Sequence, residues 1–425
     1  MVGSQCWWAY DLQRDGAGNY GPVCWRGFIA QVKALHVIPS ISPQRGGPSK
    51  AIISIASALV ARGCDVTVAT TTNDGPGRRY RPSDMPVVPG VTRVVFAQTT
   101  ESYTFALDAP LWFWRNLVRF DVVHVHALFS FMPVCAAIIA RLRRVPYIVR
   151  PLGTLSAYGL LKRRPLLKRV SLALVERPLL RHAAAVHCTS DAEVDEVRSL
   201  EPGAHVVKIP LAVPEEEVAA DSDDDAGTKG EALRATFGEW AGMPLVLFLS
   251  RLDRKKNLEC LLMAWPLVLR ALPGARLAIA GAGEASYEAT LRNLSERTGV
   301  SSSVYWLGHV EGACKRALLT RAWVFVLPSF NENFGIAAVE ALAAGVPCVL
   351  SDGVAVAPDV ASAGAGVIAD TEPDAMASAI LSLLADEVLR EQMAAAARRL
   401  ACERYSPATL GTELLALYES FLPRK

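Results

Sequence analysis

The sequence predicts an α/β protein made of two doubly wound domains that face each other across a cleft. Short apolar stretches alternate with helical stretches along the chain, and this alternation predicts a parallel sheet with helices on both faces. The alternation occurs twice, before Pro214 and after Gly230, with an acidic segment between the two runs. A length of 425 residues is enough for two domains, each with its own core.

The first run, residues 32–214, contains seven expected strands. A glycine-containing loop over Pro39–Pro48 separates the first strand from a helix that Gly63 is expected to end. The expected strands are Ala34–Ile38, Val66–Thr70, Val91–Ala97, Val122–Val125, Ile148–Arg150, Ala183–Cys188 and Val206–Ile209, and the expected helices include Ser49–Arg62 and Ser190–Leu200.

The second run follows an acidic segment, residues 215–230, that is typical of a linker or a surface loop. A second α/β set then occupies residues 231–405. A last helix is expected over Pro407–Phe421, within the tail 406–425. The expected strands of this run are Leu245–Ser250, Leu277–Ala280, Val304–Leu307, Val324–Leu327 and Cys348–Leu350.

Composition and charge exclude several classes of protein. The formal net charge is +2, so there is no overall electrostatic argument for nucleic-acid binding. The nine cysteines form no C-x-x-C pair, which is typical of reduced, buried thiols in a cytoplasmic protein and not of a disulfide framework or a zinc site. The longest uncharged apolar run, Ala127–Ala140, is too short to span a bilayer and contains Pro133.

Residues 1–31 form an atypical leader that is rich in Trp, Tyr, Cys and Gly and has no clear periodicity. The leader has neither the basic start nor the apolar centre of a signal peptide. Two interpretations are open: either Val32 marks the start of the native protein, or the leader is a genuine, disordered extension. The intact mass of the natively expressed protein distinguishes them.

The segment Pro328–Pro347 contains the most informative pattern in the chain. An apolar strand ends at its first residue, a loop containing Glu332 follows, and Gly335 opens an Ala- and Leu-rich helix that contains Glu340. Free N–H groups at the start of a helix form an anion site, and helical side chains lean back toward that start. A diphosphate between two sugars would therefore have a carboxylate near each sugar.

This segment closely resembles the E-x7-E signature of the family 4 retaining glycosyltransferases, which have the GT-B fold of two Rossmann-like domains. The resemblance implies that Glu332 contacts the donor sugar and that Glu340 holds the ribose. It also implies that the backbone amides of Phe334 and Gly335 meet the diphosphate. In this fold the second domain binds the nucleotide sugar, the first lies on the acceptor side, and the last helix returns to the first domain.

The segment Phe248–Asn257 resembles the family's G-R-L-x-x-x-K-G element, with Ser250 and Asn257 in place of its two glycines. The match implies that Arg251 and Lys256 are the cations that meet the diphosphate. A departing nucleoside diphosphate gains negative charge, and fixed cations stabilise that charge in the transition state. Asparagine tolerates the left-handed backbone conformation that glycine usually supplies. The alternative is an exposed basic turn.

Three further turns resemble ligand-binding loops of the family. Gly281 begins a G-x-G turn after a strand, a pattern that is also found in simple tight turns. Val310 lies where the backbone of relatives meets the nucleotide base, so the base cannot be read from the sequence. Gly46 and Gly47 are implied to face the leaving phosphate and the acceptor. They do not form G-x-G-x-x-G, which argues against a dinucleotide oxidoreductase.

His124 and His126 lie in one strand, and strand alternation places both side chains on the same face. In the family's H-x-H pattern the second histidine lies near the donor sugar, so the resemblance assigns His126 to the active site and His124 to a supporting role. A metal site would need a third ligand, and none is apparent nearby. Leu152 replaces the histidine of a family loop, which puts the role of that histidine in doubt here.

Two charged segments concern metal and membrane binding. Asp221-Ser222-Asp223 mimics a metal-binding D-x-D pattern, but it lies in the acidic segment and follows no strand, so we interpret it as solvated charge. No metal site is assigned, and metal-independent catalysis is expected because Arg251 and Lys256 would neutralise the phosphates. The basic stretch 162–181 is interleaved with leucines and fits either an anionic membrane surface or a solvated helix face.

The function that the resemblance implies is retaining transfer of a hexose from a nucleoside diphosphate sugar, most readily of UDP or GDP, without a cofactor. The acceptor would be a glycan or a lipid-linked glycan of polysaccharide or cell-envelope synthesis. The expected location is the cytoplasm or the inner face of the cytoplasmic membrane. The alternatives are a sugar-nucleotide epimerase or a phosphorylase on the same fold, and an inactive partner subunit that binds the donor.

Overall fold

The structure is a computed structural model that describes residues 31–42, 46–75, 78–81, 83, 85–100, 102–156, 165–213, 240 and 242–422. Three features of the sequence lie largely or wholly outside these residues: the leader, the acidic segment 215–230 with its D-x-D pattern, and residues 162–164 of the basic stretch. Within the described ranges, no helix combines the length and the apolarity needed to cross a membrane.

The first domain is a parallel sheet of seven strands in the order β3-β2-β1-β4-β5-β6-β7. All seven expected strands are confirmed, with ends that differ by at most two residues: Lys33–Val37 (β1), Asp65–Thr71 (β2), Val91–Phe96 (β3), Val122–His126 (β4), Tyr147–Arg150 (β5), Ala185–Cys188 (β6) and Val206–Lys208 (β7). Its helices are Gly47–Ala61 (α1), Ala109–Asn116 (α2), Phe131–Leu142 (α3), Pro165–Ser171 (α4), Arg177–His182 (α5) and Asp191–Leu200 (α6). A π-helical segment, Leu172–Glu176, joins α4 to α5.

The second domain is a parallel sheet in the order β10-β9-β8-β11-β12-β13. Its strands are Leu245–Leu249 (β8), Arg276–Ala280 (β9), Val304–Gly308 (β10), Val324–Leu327 (β11), Cys348–Leu350 (β12) and Gly366–Ile368 (β13). Its helices are Leu258–Ala271 (α7), Ala285–Arg297 (α8), Gly312–Arg321 (α9), Ile336–Ala343 (α10), Ala357–Ala363 (α11), Pro373–Ala385 (α12) and Glu387–Arg404 (α13).

The sequence did not predict β13, because the strand has three residues and begins with glycine. Gly366 pairs with Cys348 of β12, and a Cβ added to Gly366 would lie 2.1 Å from the carbonyl oxygen of Cys348. Glycine has a low strand propensity, which is why the sequence does not predict β13, but the missing side chain of Gly366 is what lets the two backbones approach.

The last helix, Pro407–Glu419 (α14), packs on α1 of the first domain. A Cβ added to Gly411 would lie 2.6 Å from the carbonyl oxygen of Ala58, so the two helices approach closely at this point. Nη2 of Arg62 donates a hydrogen bond of 2.9 Å to the carbonyl oxygen of Ala408. The end of α14 thereby reaches the first-domain sheet, where Tyr418 is fully buried.

Each sheet has one point at which the order of its strands reverses. The point lies between β1 and β4 in the first domain and between β8 and β11 in the second. In open α/β sheets the connections on either side of such a point leave in opposite directions, which opens a crevice at the carboxyl ends of the strands. The two crevices are therefore where the fold presents ligand-binding loops.

Candidate functional site

The site residues predicted from the sequence follow strands that border these two crevices, or the strands next to them. In the first domain, Gly46 and Gly47 follow β1, and His126 is the last residue of β4. The second-domain residues lie beyond the ends of consecutive strands in the sheet: Arg251 and Lys256 after β8, Gly281 after β9, Val310 after β10, and Glu332, Phe334, Gly335 and Glu340 after β11.

Lys256 and Glu332 form an ion pair at the second-domain crevice, in which Nζ of the lysine contacts Oε2 of the glutamate. The lysine is 5% exposed, and burial lowers its pKa, an effect to which the positive charges of Lys255 and Arg251 add. The negative charge of Asp253 opposes that lowering of the pKa because it favours the charged ammonium. The structure thus brings together the cation assigned to the diphosphate and the carboxylate assigned to the sugar.

Backbone contacts fix the loop that contains Lys256. The carboxylate of Asp253 accepts a hydrogen bond from the backbone N–H of Lys255, at 3.1 Å. Asn257 has a φ of 51°, the left-handed conformation that glycine would supply in the family's motif. The N–H of Phe330 donates to the carbonyl oxygen of Lys255 at 2.8 Å, which ties the loop after β8 to the loop after β11.

The loop that contains Glu332 is held on its other side by residues 353–355. Glu332 donates its N–H to the carbonyl of Gly353 at 2.8 Å and accepts the N–H of Ala355 at 3.0 Å. Gly335 then starts α10 with a φ of 98°. The ring of Phe334 is buried and packs edge-on against Tyr405. The first N–H groups of α10 have no partner within the helix and lie next to the glutamate in the chain.

Glu340 is 3% exposed and lies one turn inside α10. Its Oε1 lies 3.0 Å from Nζ of Lys315 on α9 and 3.9 Å from Nζ of Lys50 on α1. Sequence reasoning missed both lysines, since neither belongs to a recognisable motif. Because Lys50 belongs to the first domain, this carboxylate also links the two domains, and small residues of α1 and the chain near Leu211 border the same narrow space.

The turn that contains Gly281 packs against the turn that contains Arg251. A Cβ added to Gly281, whose φ is 152°, would lie 1.8 Å from the carbonyl oxygen of Ser250. The N–H of Gly281 also donates to the carbonyl of Gly308 at 2.7 Å. A side chain at this glycine would therefore displace the backbone next to Arg251. Val310 buries its side chain just beyond this edge of the sheet.

Glycines also line the contact between the two domains. Gly46 has a φ of 65° with a ψ of −127°, a combination that suits only glycine. A Cβ added to Gly47 would lie 3.5 Å from Ile336 at the start of α10. A Cβ added to Gly153 would lie 2.5 Å from the side-chain oxygen of Asn333. These small residues let the loops of the first domain approach the loops after β11 in the second.

His126 is fully buried, and the structure places it on the same face of β4 as His124, with ring centroids 4.4 Å apart. The expectation that no third ligand lies nearby is wrong. His36 on the adjacent strand β1 places its Nδ1 2.9 Å from Nε2 of His126. The ligand atoms of these three histidines lie within 4.8 Å of one another. The spacing of residues around His126 could not reveal this third histidine, because His36 is 90 residues away in sequence.

Arg150 is a buried cation that, like Lys315, the sequence analysis did not assign to the site. It is 2% exposed, pairs in register with His126, and has no hydrogen-bond partner for Nε and Nη1 among the described residues. Thr70 in β2 and Ser329 after β11 also have buried hydroxyls without a partner in these residues. Buried polar atoms without a partner are rare in native proteins, and these lie near the carboxyl ends of their strands.

Comparison with known families gives two matches that follow the two domains. Residues 46–212 match the family model described as "Glycosyl transferase 4-like domain". Residues 231–400 match the family model described as "Glycosyl transferases group 1". The second match contains the whole Lys256, Glu332 and Glu340 region.

Curated proteins similar to the chain include a glycogen synthase and a mannosyltransferase. It is 27% identical to a glycogen synthase of Mycobacterium tuberculosis over 403 residues, which cover 88% of this chain and 91% of that protein. It is 35% identical to a phosphatidyl-myo-inositol mannosyltransferase of Mycobacterium leprae over 178 residues, which cover 41% of this chain and 46% of that protein.

Solved structures share the fold over nearly the whole chain. Sucrose-phosphate synthase from Thermosynechococcus elongatus has a TM-score of 0.71 at 19% identity and covers 92% of this chain and 99% of that chain. HepE from Anabaena, solved in complex with UDP and glucose, has a TM-score of 0.71 at 18% identity and covers 92% of this chain and 100% of that chain. At these identities the likeness shows the fold alone.

Proposed function

Because this chain belongs to the group 1 glycosyltransferases, we propose that it transfers a hexose from a nucleoside diphosphate sugar to a glycan or lipid-linked acceptor, with retention of configuration. The observation that carries the proposal is the buried Lys256–Glu332 pair in the crevice between β8 and β11. In this proposal the ammonium of Lys256 would meet the diphosphate and the carboxylate of Glu332 would meet the sugar hydroxyls, next to the bond that must break.

The charges around this pair suit departure of a nucleoside diphosphate. Lys256 and Arg251 would stabilise the negative charge that grows on the leaving phosphates, and in that role no metal ion is required. A retaining glycosidase needs a second carboxylate as nucleophile. Here Glu332 is paired with a lysine, which suits hydrogen bonding to the sugar, and the leaving phosphate would accept the proton of the attacking hydroxyl on the same face. We therefore propose metal-independent catalysis.

Thermal stabilisation by a panel of UDP-, GDP- and ADP-sugars tests this proposal. One nucleotide is expected to stabilise the protein by about 2.7 kcal/mol at a concentration 100 times its Kd. The effect should disappear in Arg251→Ala and Glu340→Ala. Arg254→Ala is the matched control, because this exposed arginine lies in the same loop but stacks on the ring of Tyr287.

Other outcomes of the panel select the alternatives. Stabilisation by none of the donors would favour an inactive partner subunit. Conversion of the bound donor in the absence of any acceptor would indicate an epimerase. Equal loss of stabilisation in Arg254→Ala would mean that general basicity of the loop, and not the predicted position of Arg251, accounts for binding.

An exposed apolar surface on the first domain favours a lipid-linked acceptor. Helices α4 and α5 with the π-helical segment between them present basic and apolar side chains together. The apolar residues are Leu166, Leu167, Val170 and Leu174, which are 76%, 60%, 56% and 72% exposed, and the basic residues are Lys168, Arg169, Arg177 and Arg181. Two of these cations, Arg177 and Arg181, also pair with the carboxylate of Glu201. We call these eight residues the basic–leucine face. Apolar side chains exposed among cations are typical of helices that lie on anionic membranes.

The basic–leucine face is expected to bind vesicles that contain anionic lipid and not neutral vesicles, as measured by flotation. Leu166→Glu combined with Leu174→Glu should abolish the binding, because it removes apolar burial and adds repulsion from the lipid headgroups. Val388→Glu is the matched control, since Val388 is 64% exposed on α13 of the second domain. Equal binding by all three proteins would contradict the membrane assignment without affecting donor recognition.

A further inference from the structure

Four histidines and one tyrosine form a continuous series of hydrogen bonds against one face of the first-domain sheet. Each of the five side chains is fully buried. We call this series the histidine chain. The first link joins His126 Nε2 to His36 Nδ1 at 2.9 Å, and the second joins His36 Nε2 to Tyr418 Oη at 3.4 Å. The hydroxyl oxygen of Tyr418 also lies 2.8 Å from Nδ1 of His124. The last two links join His124 Nε2 to His187 Nδ1 at 3.3 Å and His187 Nε2 to the carbonyl oxygen of Ile209 at 2.8 Å.

The direction of the histidine chain follows from its end at Ile209. A carbonyl oxygen only accepts hydrogen bonds, so His187 must have its proton on Nε2. A neutral imidazole has one N–H, which makes Nδ1 of His187 an acceptor for Nε2–H of His124. By the same argument Nδ1 of His124 is an acceptor, and the hydroxyl of Tyr418 donates to it.

The remaining links are fixed in turn. Tyr418 has then donated its one proton, so its oxygen accepts Nε2–H of His36. Nδ1 of His36 is therefore an acceptor and takes Nε2–H of His126. As the last neutral imidazole, His126 is left with an unprotonated Nδ1. That atom is buried and has no hydrogen-bond partner among the described residues.

Burial and a nearby cation keep the imidazoles neutral, as this argument requires. Burial lowers the pKa of His36 and His187 to about 3, and it lowers the pKa of His124 and His126 well below the usual range. The positive charge of Arg150 lowers all four pKa values further. An imidazolium at His36, His124 or His187 would also have no acceptor nitrogen, so it would break a link of the chain.

We propose that the histidine chain fixes the tautomer of His126 so that its Nδ1 accepts a hydrogen bond from a hydroxyl of the bound sugar. His126 is the last residue of β4, and Arg150, its partner in register on β5, has unpartnered donor nitrogens. An acceptor on one strand and donors on the next suit a hydroxyl group, which both donates and accepts. The identity of that hydroxyl rests on the proposed function; the tautomer does not.

The other four members of the histidine chain are then positioning residues, and they come from distant parts of the sequence. His36, His124 and His187 lie on strands β1, β4 and β6, whereas Tyr418 lies on α14. The tyrosine is the central link of the chain. Packing of the last helix on the first domain is therefore part of what sets the protonation of His126.

A divalent metal held by His36, His124 and His126 is the competing interpretation of the cluster. A metal would need an unprotonated nitrogen from each ring. The observed distances instead suit hydrogen bonds, with Nδ1 of His36 only 2.9 Å from Nε2 of His126. A divalent cation would also lie near the buried charge of Arg150, which is electrostatically unfavourable. Addition of Zn²⁺ therefore has to be included in the experiment, to exclude metal binding by these three histidines.

Nitrogen NMR of protein labelled with ¹⁵N in the imidazole rings tests the proposal without any substrate. The seven histidines comprise the four of the chain and three exposed ones, His182, His205 and His309, that serve as internal references. Between pH 7.5 and pH 6 the four histidines of the chain should remain neutral, with protonated Nε2 and unprotonated Nδ1. A protonated Nδ1 on His126, or a change in the chain signals on adding Zn²⁺, would overturn the proposal.

Tyr418→Phe is expected to release the tautomers of His36 and His126, because it removes the central link. His187 should keep its proton on Nε2, since its bond to Ile209 is intact. Loss of one well-placed acceptor at the sugar should lower kcat/KM about tenfold. Tyr147→Phe is the matched control: it also removes a buried hydroxyl from the first domain, one that donates to the carbonyl of Leu179.

The outcomes separate this inference from the proposed function. An unchanged His126 signal in Tyr418→Phe, or an equal loss of kcat/KM in Tyr147→Phe, would contradict the positioning role. The expected NMR pattern in a protein that transfers no sugar from any donor would instead leave the tautomer assignment standing and reject the glycosyltransferase assignment of the site.

Discussion

Replacing Lys256 with methionine is expected to lower kcat/KM for sugar transfer by about 100- to 1,000-fold, the effect of removing one preorganised charge partner from a transition state. Methionine keeps the length and apolar stem of the side chain but removes the ammonium that would meet the leaving diphosphate. Transfer assays with the donor identified by thermal stabilisation measure the effect. Lys255→Met is the matched control, because the neighbouring lysine lies in the same loop but outside the pair with Glu332.

Loss of stability has to be separated from loss of catalysis in this variant. Removing one partner of a buried ion pair leaves the other charge unpaired and costs about 3–5 kcal/mol of stability. The double variant Lys256→Met with Glu332→Gln removes both charges and should recover most of that loss, but it should not recover activity. Recovery of activity together with stability would show that Lys256 only holds the loop in place.

The second-domain part of the candidate site could be predicted from the sequence because each of its parts follows a strand. Lys256 and Glu332 are 76 positions apart, yet both lie just beyond strands that are neighbours at the point where the order of the sheet reverses. Each of the two residues belongs to a local pattern in which a charged residue follows an apolar run. Pairing of β8 with β11 brings the two patterns together at one place. The expectation of two such sheets is confirmed by the structure and by the shared fold of solved relatives.

The histidine chain could not be predicted in the same way, because its members share no local pattern. His124 and His126 are close in sequence, and strand alternation predicts that they share a face. His36, His187 and Tyr418 join them only through strand order and the packing of α14. Lys315 illustrates the same limit at Glu340, since a lysine on an ordinary helix gives no sign that its ammonium will be buried. Long-range pairs of this kind depend on packing and not on motif.

Acid is expected to destabilise the protein steeply, because the same four buried histidines are neutral when folded. In the unfolded chain a histidine binds a proton near pH 6.5. In the folded protein burial lowers the pKa of each, to about 3 for His36 and His187. Protons therefore bind preferentially to the unfolded chain between these values. The stabilisation is fully present above pH 6.5 and is lost as the pH falls toward 3.

The magnitude follows from the number of protons taken up. Each histidine lowers the free energy of unfolding by about 1.4 kcal/mol for each unit of falling pH, so four give about 5.5 kcal/mol per unit. A typical protein is stable by only about 5–15 kcal/mol, so the folded state should be lost within one to three units below pH 6.5. Urea unfolding at several pH values from 7.5 to 5 measures this slope.

Paired variants assign the slope to the buried histidines and not to carboxylates elsewhere. His187→Gln removes one of the four protons taken up on unfolding, so it should reduce the slope by about 1.4 kcal/mol per pH unit. This reduction is expected whatever the effect of the substitution on stability at pH 7.5. His309→Gln is the matched control, because it makes the same substitution at an exposed histidine outside the histidine chain. Equal slopes in the two variants would mean that the histidine chain accepts protons without unfolding. Because the same neutral imidazoles fix the tautomer of His126, that result would also remove the premise of the positioning role.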